Sequence, residues 1–162
     1  MRRSGFLLLL FIFSCGRAHN HFTDQIGTVS KGKPKLTADE TVLKEKWARL
    51  INDDPKININ FSTVQILSEK SGEYYLLAAD LDAEHKARID LVEEKGILYE
   101  KRINDGSMTV VCFGCFSSES LNSDCMPKLD SSSNSWFCTD CKTNGCSKST
   151  AYSARSILGS AE

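Results

Sequence analysis

Apolar positions change their spacing along the chain, and each change marks the boundary of a predicted element. An unbroken apolar run extends from Phe6 to Phe13. Helical spacing follows between Thr37 and Asn52, and apolar residues alternate with polar ones after Pro55. The helical spacing is typical of an amphipathic helix, and the alternation is typical of half-buried strands. The pattern therefore predicts one helix followed by a set of strands.

The predicted helix carries signals at both ends. Thr37 and Glu40 match a T-x-x-E capping box, in which both side chains bind free backbone N–H groups of the first turn. Pro55 prevents continuation, so the helix should end near Asn52. The apolar residues that share one face at helical spacing are Leu43, Trp47, Leu50 and Ile51.

The alternating segments predict antiparallel strands joined by tight turns. Ala87, Ile89 and Leu91 share one predicted face, and Ile97, Tyr99 and Ile103 share another. The sequence NDGS at 104–107 favours a primed hairpin turn. Residues 36–116 thus predict an α+β domain, in which one N-terminal helix packs on a four- to five-stranded antiparallel meander. This element order resembles that of cystatin-like folds, a resemblance that carries no function.

The segments that flank this domain are polar. Residues 15–35 contain Gly27, Gly32 and Pro34 and predict a flexible tether. Residues 117–162 are rich in serine and hold most of the cysteines, which predicts an irregular Cys-rich segment packed on the sheet. The small polar residues after Ser149 predict a partly frayed tail.

The N-terminal apolar run has the layout of an export signal. Arg2 and Arg3 precede it, and polar sequence begins near Arg17. A positive start, a short apolar run and a polar continuation are typical of a secretory signal peptide. The run is too short for a transmembrane helix, which needs about 20 apolar residues. Residues 1–14 are therefore predicted to be a signal peptide.

The end of this signal resembles the lipobox of bacterial lipoproteins. Ile12 matches the aliphatic position and Ser14 the small position before the cysteine, whereas Phe13 departs from the usual small residue. The resemblance implies cleavage before Cys15 and attachment of acyl chains to it, which would anchor the protein to a membrane. Ordinary cleavage behind Ala18, which would release a soluble secreted or periplasmic protein, is the alternative.

The residue after the candidate lipidation site bears on the choice of membrane. In bacterial lipoproteins, an aspartate at that position commonly retains the protein at the inner membrane. This chain has Gly16 there. The lipoprotein resemblance therefore implies an exported protein of the cell envelope, anchored in the outer membrane.

The cysteine count depends on how the signal is processed. The chain has seven cysteines, and both processing routes remove Cys15 from the count of free thiols. An even number in an exported protein favours a disulfide framework, and six cysteines allow fifteen pairings. Bridges between the two C-x-x-C pairs would close loops of about 25 residues and contribute about 3 kcal/mol each. The predicted disulfide residues are Cys112, Cys115, Cys125, Cys138, Cys141 and Cys146.

Two other cysteine chemistries fit the spacing. A structural zinc ribbon would use both C-x-x-C pairs and leave Cys125 and Cys146 over; its four ligands would be Cys112, Cys115, Cys138 and Cys141. A thiol–disulfide oxidoreductase would use one pair, but its reactive cysteine usually starts a helix, and here CFGC follows a predicted strand. The region from Cys112 to Thr150 resembles the endings of small exported bacterial proteins of unknown function.

Charge and motifs exclude several functions. The net charge is −1 without a basic stripe, which argues against a nucleic-acid partner. The sequence has no phosphate loop, HExxH motif or paired-carboxylate signature, and His85 fits a surface loop. These observations predict a non-enzymatic binding or structural protein without a cofactor, whose partners are the membrane and an unidentified protein or envelope ligand. An inhibitor-like module that uses loops of the sheet is a further alternative.

Overall fold

The chain folds mainly into β-structure. A computed structural model describes residues 25–52, 58–81, 84–103, 106–113, 125–130, 132–133, 135–139, 147–153 and 157–158. These residues form a nine-stranded antiparallel sheet, a separate two-stranded hairpin and one helix. The elements are β1 Gln25–Ser30, β2 Lys33–Leu36, α1 Glu40–Ile51, β3 Phe61–Ser68, β4 Tyr74–Asp80, β5 His85–Glu94, β6 Ile97–Glu100, β7 Arg102–Ile103, β8 Gly106–Phe113, β9 Pro127–Asp130, β10 Ser135–Cys138 and β11 Ser147–Ser153.

The predicted α+β fold, with a helix on a four- to five-stranded meander, is wrong because the chain is mostly β-structure around one helix of 12 residues. Strands β3 to β6 do pair in sequence order. The sheet then grows by pairings between distant segments: β1 and β2 extend it beyond β6, while β8 and β11 extend it beyond β5. Local periodicity carries no signal for such long-range pairings. The element order of cystatin-like folds therefore does not describe this chain.

The first hairpin lies within the segment that the sequence predicted to be a tether. Strands β1 and β2 pair through a two-residue turn, with positive φ angles of 51° at Lys31 and 72° at Gly32. Positive φ at both central positions is the requirement of a type I′ turn, which matches the twist of the flanking strands. Ile26 is buried in the core, so residues 25–35 are structured. The rest of the predicted tether, 15–24, lies outside the described residues.

The helix ends where predicted but starts with a different cap. The Asp39 carboxylate accepts the N–H groups of Thr41 and Val42 at 2.9 and 3.0 Å. Thr37 does not take this role: its hydroxyl accepts the side-chain N–H of Gln25 at 3.1 Å, and its N–H donates to the carbonyl of Ile26. The C-cap is Asn52, as expected from Pro55.

Trp47 anchors the helix to the sheet. Leu43, Trp47 and Ile51 are buried as predicted, whereas Leu50 is only half-buried. The indole Nε1–H of Trp47 donates to the hydroxyl of Thr109 on β8 at 2.9 Å, and its ring lies 5.4 Å from that of Phe61. The buried indole is thus satisfied both in packing and in hydrogen bonding.

The buried face of strand β6 is the opposite of the predicted one. Leu98 and Glu100 are buried, whereas Ile103 on the following strand is 42% exposed. The Glu100 carboxylate accepts the backbone N–H of Ile157 at 2.9 Å, which explains why an acidic side chain is tolerated there. Alternation gives the period of a strand but does not choose its buried face when both faces carry apolar residues.

The C-terminal segment is more regular than predicted. Strand β11 pairs with β8 from Ser147 to Ser153, and Ile157 is buried in the main core. The Lys46 ammonium donates to the carbonyl of Leu158 at 2.8 Å, which ties this segment to α1. Of the tail after Ser149, which the sequence predicted to be partly frayed, residues 150–153 and 157–158 are ordered.

The hairpin of β9 and β10 covers the sheet face that α1 leaves open. Ala87 and Ile89 of β5 join the core beneath α1, and the residue between them, Arg88, faces the hairpin. Met126, just before β9, packs against Tyr75 and Leu77 of β4. The hairpin, the sheet and the helix thus form three layers. Within the part of the chain that the structure describes, no helix is long and apolar enough to cross a membrane.

Replacing Trp47 with alanine should lower the free energy of unfolding by about 3 to 5 kcal/mol, because the side chain is fully buried. Urea denaturation followed by circular dichroism measures the change. Val42→Ala on the exposed side of α1 is the control and should cost less than about 1 kcal/mol. A loss below about 1 kcal/mol for Trp47→Ala would show that α1 is not docked through this residue.

Candidate binding groove

Two adjoining cavities lie between the hairpin of β9 and β10 and the sheet. The larger has a volume of about 500 Å³ and the smaller about 210 Å³. Both are lined by Asp90, Lys101 and Leu129, so they adjoin each other, and we call the two together the hairpin groove. Its other principal residues are Glu69, Arg88, Lys128 and Trp136.

Arg88 forms the floor of the hairpin groove. Its side chain comes from β5 and is 5% exposed. The guanidinium donates to Glu69 at 2.7 Å, to Asp90 at 2.9 Å and to the carbonyl of Pro127 at 3.4 Å. A buried cation is tolerated only when it is paired and hydrogen-bonded. Arg88 therefore connects the β3–β4 turn, β5 and the hairpin through one side chain.

Two aromatic rings complete the surroundings of this guanidinium. Its central carbon lies 4.0 Å from the ring centre of Tyr75 and 5.2 Å from that of Trp136. Both distances fall within the range of cation–π attraction. Burial raises the pKa of Tyr75 above its ordinary value, the nearby Glu69 charge raises it further, and Arg88 opposes the shift. The phenol therefore stays neutral beside the ion pairs.

A disulfide between Cys112 and Cys138 fastens the hairpin to the sheet. Cys112 lies on β8 and Cys138 ends β10, and the two are 26 positions apart in sequence. Their Cα atoms are 5.8 Å apart, an ordinary distance for a disulfide. Cys125 packs against both, is buried, and is itself disulfide-bonded. One long-range bridge between the two C-x-x-C pairs is thus present, as the sequence analysis favoured.

The Cys112–Cys138 disulfide can be compared with what the two alternatives, a zinc ribbon and an oxidoreductase, require of these cysteines. A zinc ribbon needs Cys112 and Cys138 as separate thiolates, and here they are joined to each other. An oxidoreductase needs a bond within one C-x-x-C pair, whereas Cys112 bonds across to the other pair. Among the residues that the structure describes, no cluster of metal-ligating side chains is found. Cys15, Cys115, Cys141 and Cys146 lie outside the described residues.

The hairpin turn is stabilised by an acidic side chain. The Asp130 carboxylate accepts the hydroxyls of Ser132 and Ser133 at 2.7 Å and the N–H of Ser132 at 2.9 Å. The two hydroxyl hydrogen bonds, followed by the backbone one, lower the pKa of Asp130 to about 2. Hydrogen bonds to the charged form favour it over the protonated acid. Ser132 and Ser133 therefore take part in the turn between β9 and β10.

His85 closes the connection between β4 and β5. Its Nδ1 contacts the carboxylate of Asp80, whose other oxygen accepts the backbone N–H of His85 at 3.2 Å. The imidazole also meets the ring of Phe113 edge-on at 5.2 Å. It is half-buried at the first residue of β5, so it is not the surface loop histidine that the sequence indicated.

Sequence reasoning missed the groove because its residues come from eight separate strands and turns. Arg88 and Asp90 occupy the polar positions of a strand whose alternate positions are apolar, a pattern that ordinarily indicates a solvent-facing side. The sequence held only an indirect signal of the groove. Trp136 and Leu129 are apolar residues in a serine-rich segment, and such residues need a surface to cover.

Replacing Arg88 with glutamine should lower the free energy of unfolding by about 3 kcal/mol, because Glu69 and Asp90 would lose their buried partner. Urea denaturation provides the measurement. The matched control is Arg49→Gln on the exposed face of α1, which should cost less than about 1 kcal/mol. Equal losses for the two variants would contradict the assigned role of Arg88.

Replacing both Cys112 and Cys138 with alanine should lower the free energy of unfolding by about 3 to 4 kcal/mol, because the bridge closes a loop over 26 positions. Removal of both cysteines together leaves no new free thiol. Denaturation without reductant gives the value, and Ser135→Ala on the exposed side of β10 is the control. A change below about 1 kcal/mol would mean that the bridge does not stabilise the fold.

Comparison of the chain with protein-family models, with curated proteins and with solved structures found no match. The function must therefore be argued from the contacts, charges and burial of the residues themselves, and the hairpin groove is where these converge.

Proposed function

We propose that the chain is an exported, lipid-anchored protein of the cell envelope that acts as a non-enzymatic binding module. The observation that carries the binding role is the hairpin groove, with a volume of about 500 Å³ in its larger part. Cavities of this size are typical of small-molecule sites. The proposed anchor is Cys15, and the proposed location is the outer membrane.

The walls of the hairpin groove favour binding because they are fixed in advance. The Cys112–Cys138 bridge holds the hairpin covalently, and Arg88 connects three elements beneath it. A ligand that enters a preformed site loses less free energy to ordering the protein than one that must organise it. The same cross-links suit an oxidising compartment outside the cytoplasm.

Export is supported by the composition of the N-terminus. Arg2 and Arg3, the apolar run from Phe6 to Phe13 and the lipobox-like residues before Cys15 follow each other in the order that a lipoprotein precursor requires. Nine residues, 16–24, separate Cys15 from the start of β1 in sequence.

The burial of Cys112 supports a binding role over the oxidoreductase alternative. A reactive cysteine needs an exposed, electropositive setting in which its thiolate forms. Cys112 has no exposed surface, and its partner Cys138 belongs to the other C-x-x-C pair. The described bridge therefore has the features of a structural disulfide.

Metabolic labelling with a radioactive fatty acid should mark the wild-type protein in a bacterial host but not Cys15→Ser, because the sulfur of Cys15 is the proposed attachment site. Ser14→Ala is the matched control, since alanine keeps a small residue before the cysteine, and it should retain the label. A mature protein that begins at His19 and carries no lipid would refute the anchoring proposal and favour a soluble product.

A further inference from the structure

Three lysines in the hairpin groove have no acidic partner. Lys70, Lys101 and Lys128 line the larger cavity, and among the described residues none of them forms an ion pair. The whole chain has a net charge of −1, so three unpaired cations at one place are a local departure from its average. Such a concentration attracts a ligand of the opposite charge.

The acidic residues of the groove do not cancel these lysines. Glu69 and Asp90 are both bound to Arg88, at 2.7 and 2.9 Å. Glu73, the remaining acid of the larger cavity, accepts the hydroxyl of Ser71 at 2.9 Å. Arg88 neutralises one of its two carboxylates, so the other and Glu73 leave two negative charges against three lysines, and the larger cavity keeps one net positive charge.

The smaller cavity supplies an apolar surface next to this charge. Ile103, Met108, Leu129 and Trp136 line it, and Lys101 lies at the boundary because it lines both cavities. An inorganic anion would leave this surface uncovered, whereas an uncharged apolar molecule would leave the lysines without a partner. The charged larger cavity and the apolar smaller cavity are therefore complementary to different parts of one ligand molecule.

We infer that the hairpin groove binds a small amphipathic carboxylate, with its apolar body in the cavity beside Trp136 and its charged group towards Lys101 and Lys128. This assignment of a ligand class rests on the proposed binding function. Apolar burial supplies most of the affinity, since exposed lysines contribute modestly to binding, and the charge decides which amphipathic molecules bind.

A series of three probes with the same ring system tests the inference on the mature, oxidised protein. The probes are 2-naphthoate, neutral 2-naphthamide and cationic 2-naphthylmethylammonium, titrated by calorimetry at low ionic strength. Naphthoate should bind about fivefold more tightly than the amide, because two solvent-exposed lysines face its carboxylate. The cation should bind more weakly than the amide.

Paired variants locate the effect. Lys101→Gln/Lys128→Gln should remove the preference for naphthoate over the amide, whereas the matched pair Lys33→Gln/Lys35→Gln, on the exposed hairpin strand β2, should preserve it. Leu129→Ala should weaken all three probes, because it removes part of the apolar wall. Thermal unfolding of each variant verifies that it is folded.

The outcomes separate the two proposals. Equal binding of naphthoate and the amide, or a preference that survives Lys101→Gln/Lys128→Gln, would overturn the ligand class and leave the groove as a binding site. Tightest binding of the cation would also overturn it. If no probe binds, or if Leu129→Ala leaves all affinities unchanged, the hairpin groove does not bind ligands as proposed.

Discussion

The guanidinium of Arg88 is the interaction on which the layered arrangement depends. It lies on β5, the strand that pairs with β4, β6 and β8, and it reaches the hairpin through the carbonyl of Pro127. A buried cation excludes any arrangement that leaves its donors unpaired, so the positions of its acidic and aromatic neighbours are coupled. The side chain thus selects one position of the hairpin, and the Cys112–Cys138 bridge then makes that position permanent.

The parts of the fold that can be predicted from the sequence are those that interactions between near neighbours in the chain determine. The buried face of α1 and its end at Asn52 follow from helical spacing and Pro55. The pairing of β1 with β6 and of β8 with β5 joins segments that are far apart in sequence. Strand periodicity is the same whichever neighbour a strand finds, so the extended sheet could not be derived from it.

The candidate site could be predicted only in part from the sequence, for a related reason. An even cysteine count and export context predict cross-links, and the observed bridge is one of the long-range pairings expected. Arg88 and Lys101 form part of a site only because the hairpin lies over them. Their charges are indistinguishable in sequence from those of a solvated strand, and only the position of Trp136 beside Arg88 reveals the difference.

The burial of Ile157 has a consequence for the order in which the protein can be completed. Ribosomes make the chain from the N-terminus, yet the carboxylate of Glu100 meets its backbone partner only when Ile157 arrives, 57 positions later. The last strand of the sheet, β11, pairs with β8 at nearly the same stage. The core therefore stays open on one side until Ile157 has been made, and a chain that stops before this residue would have an uncovered, acid-containing interior.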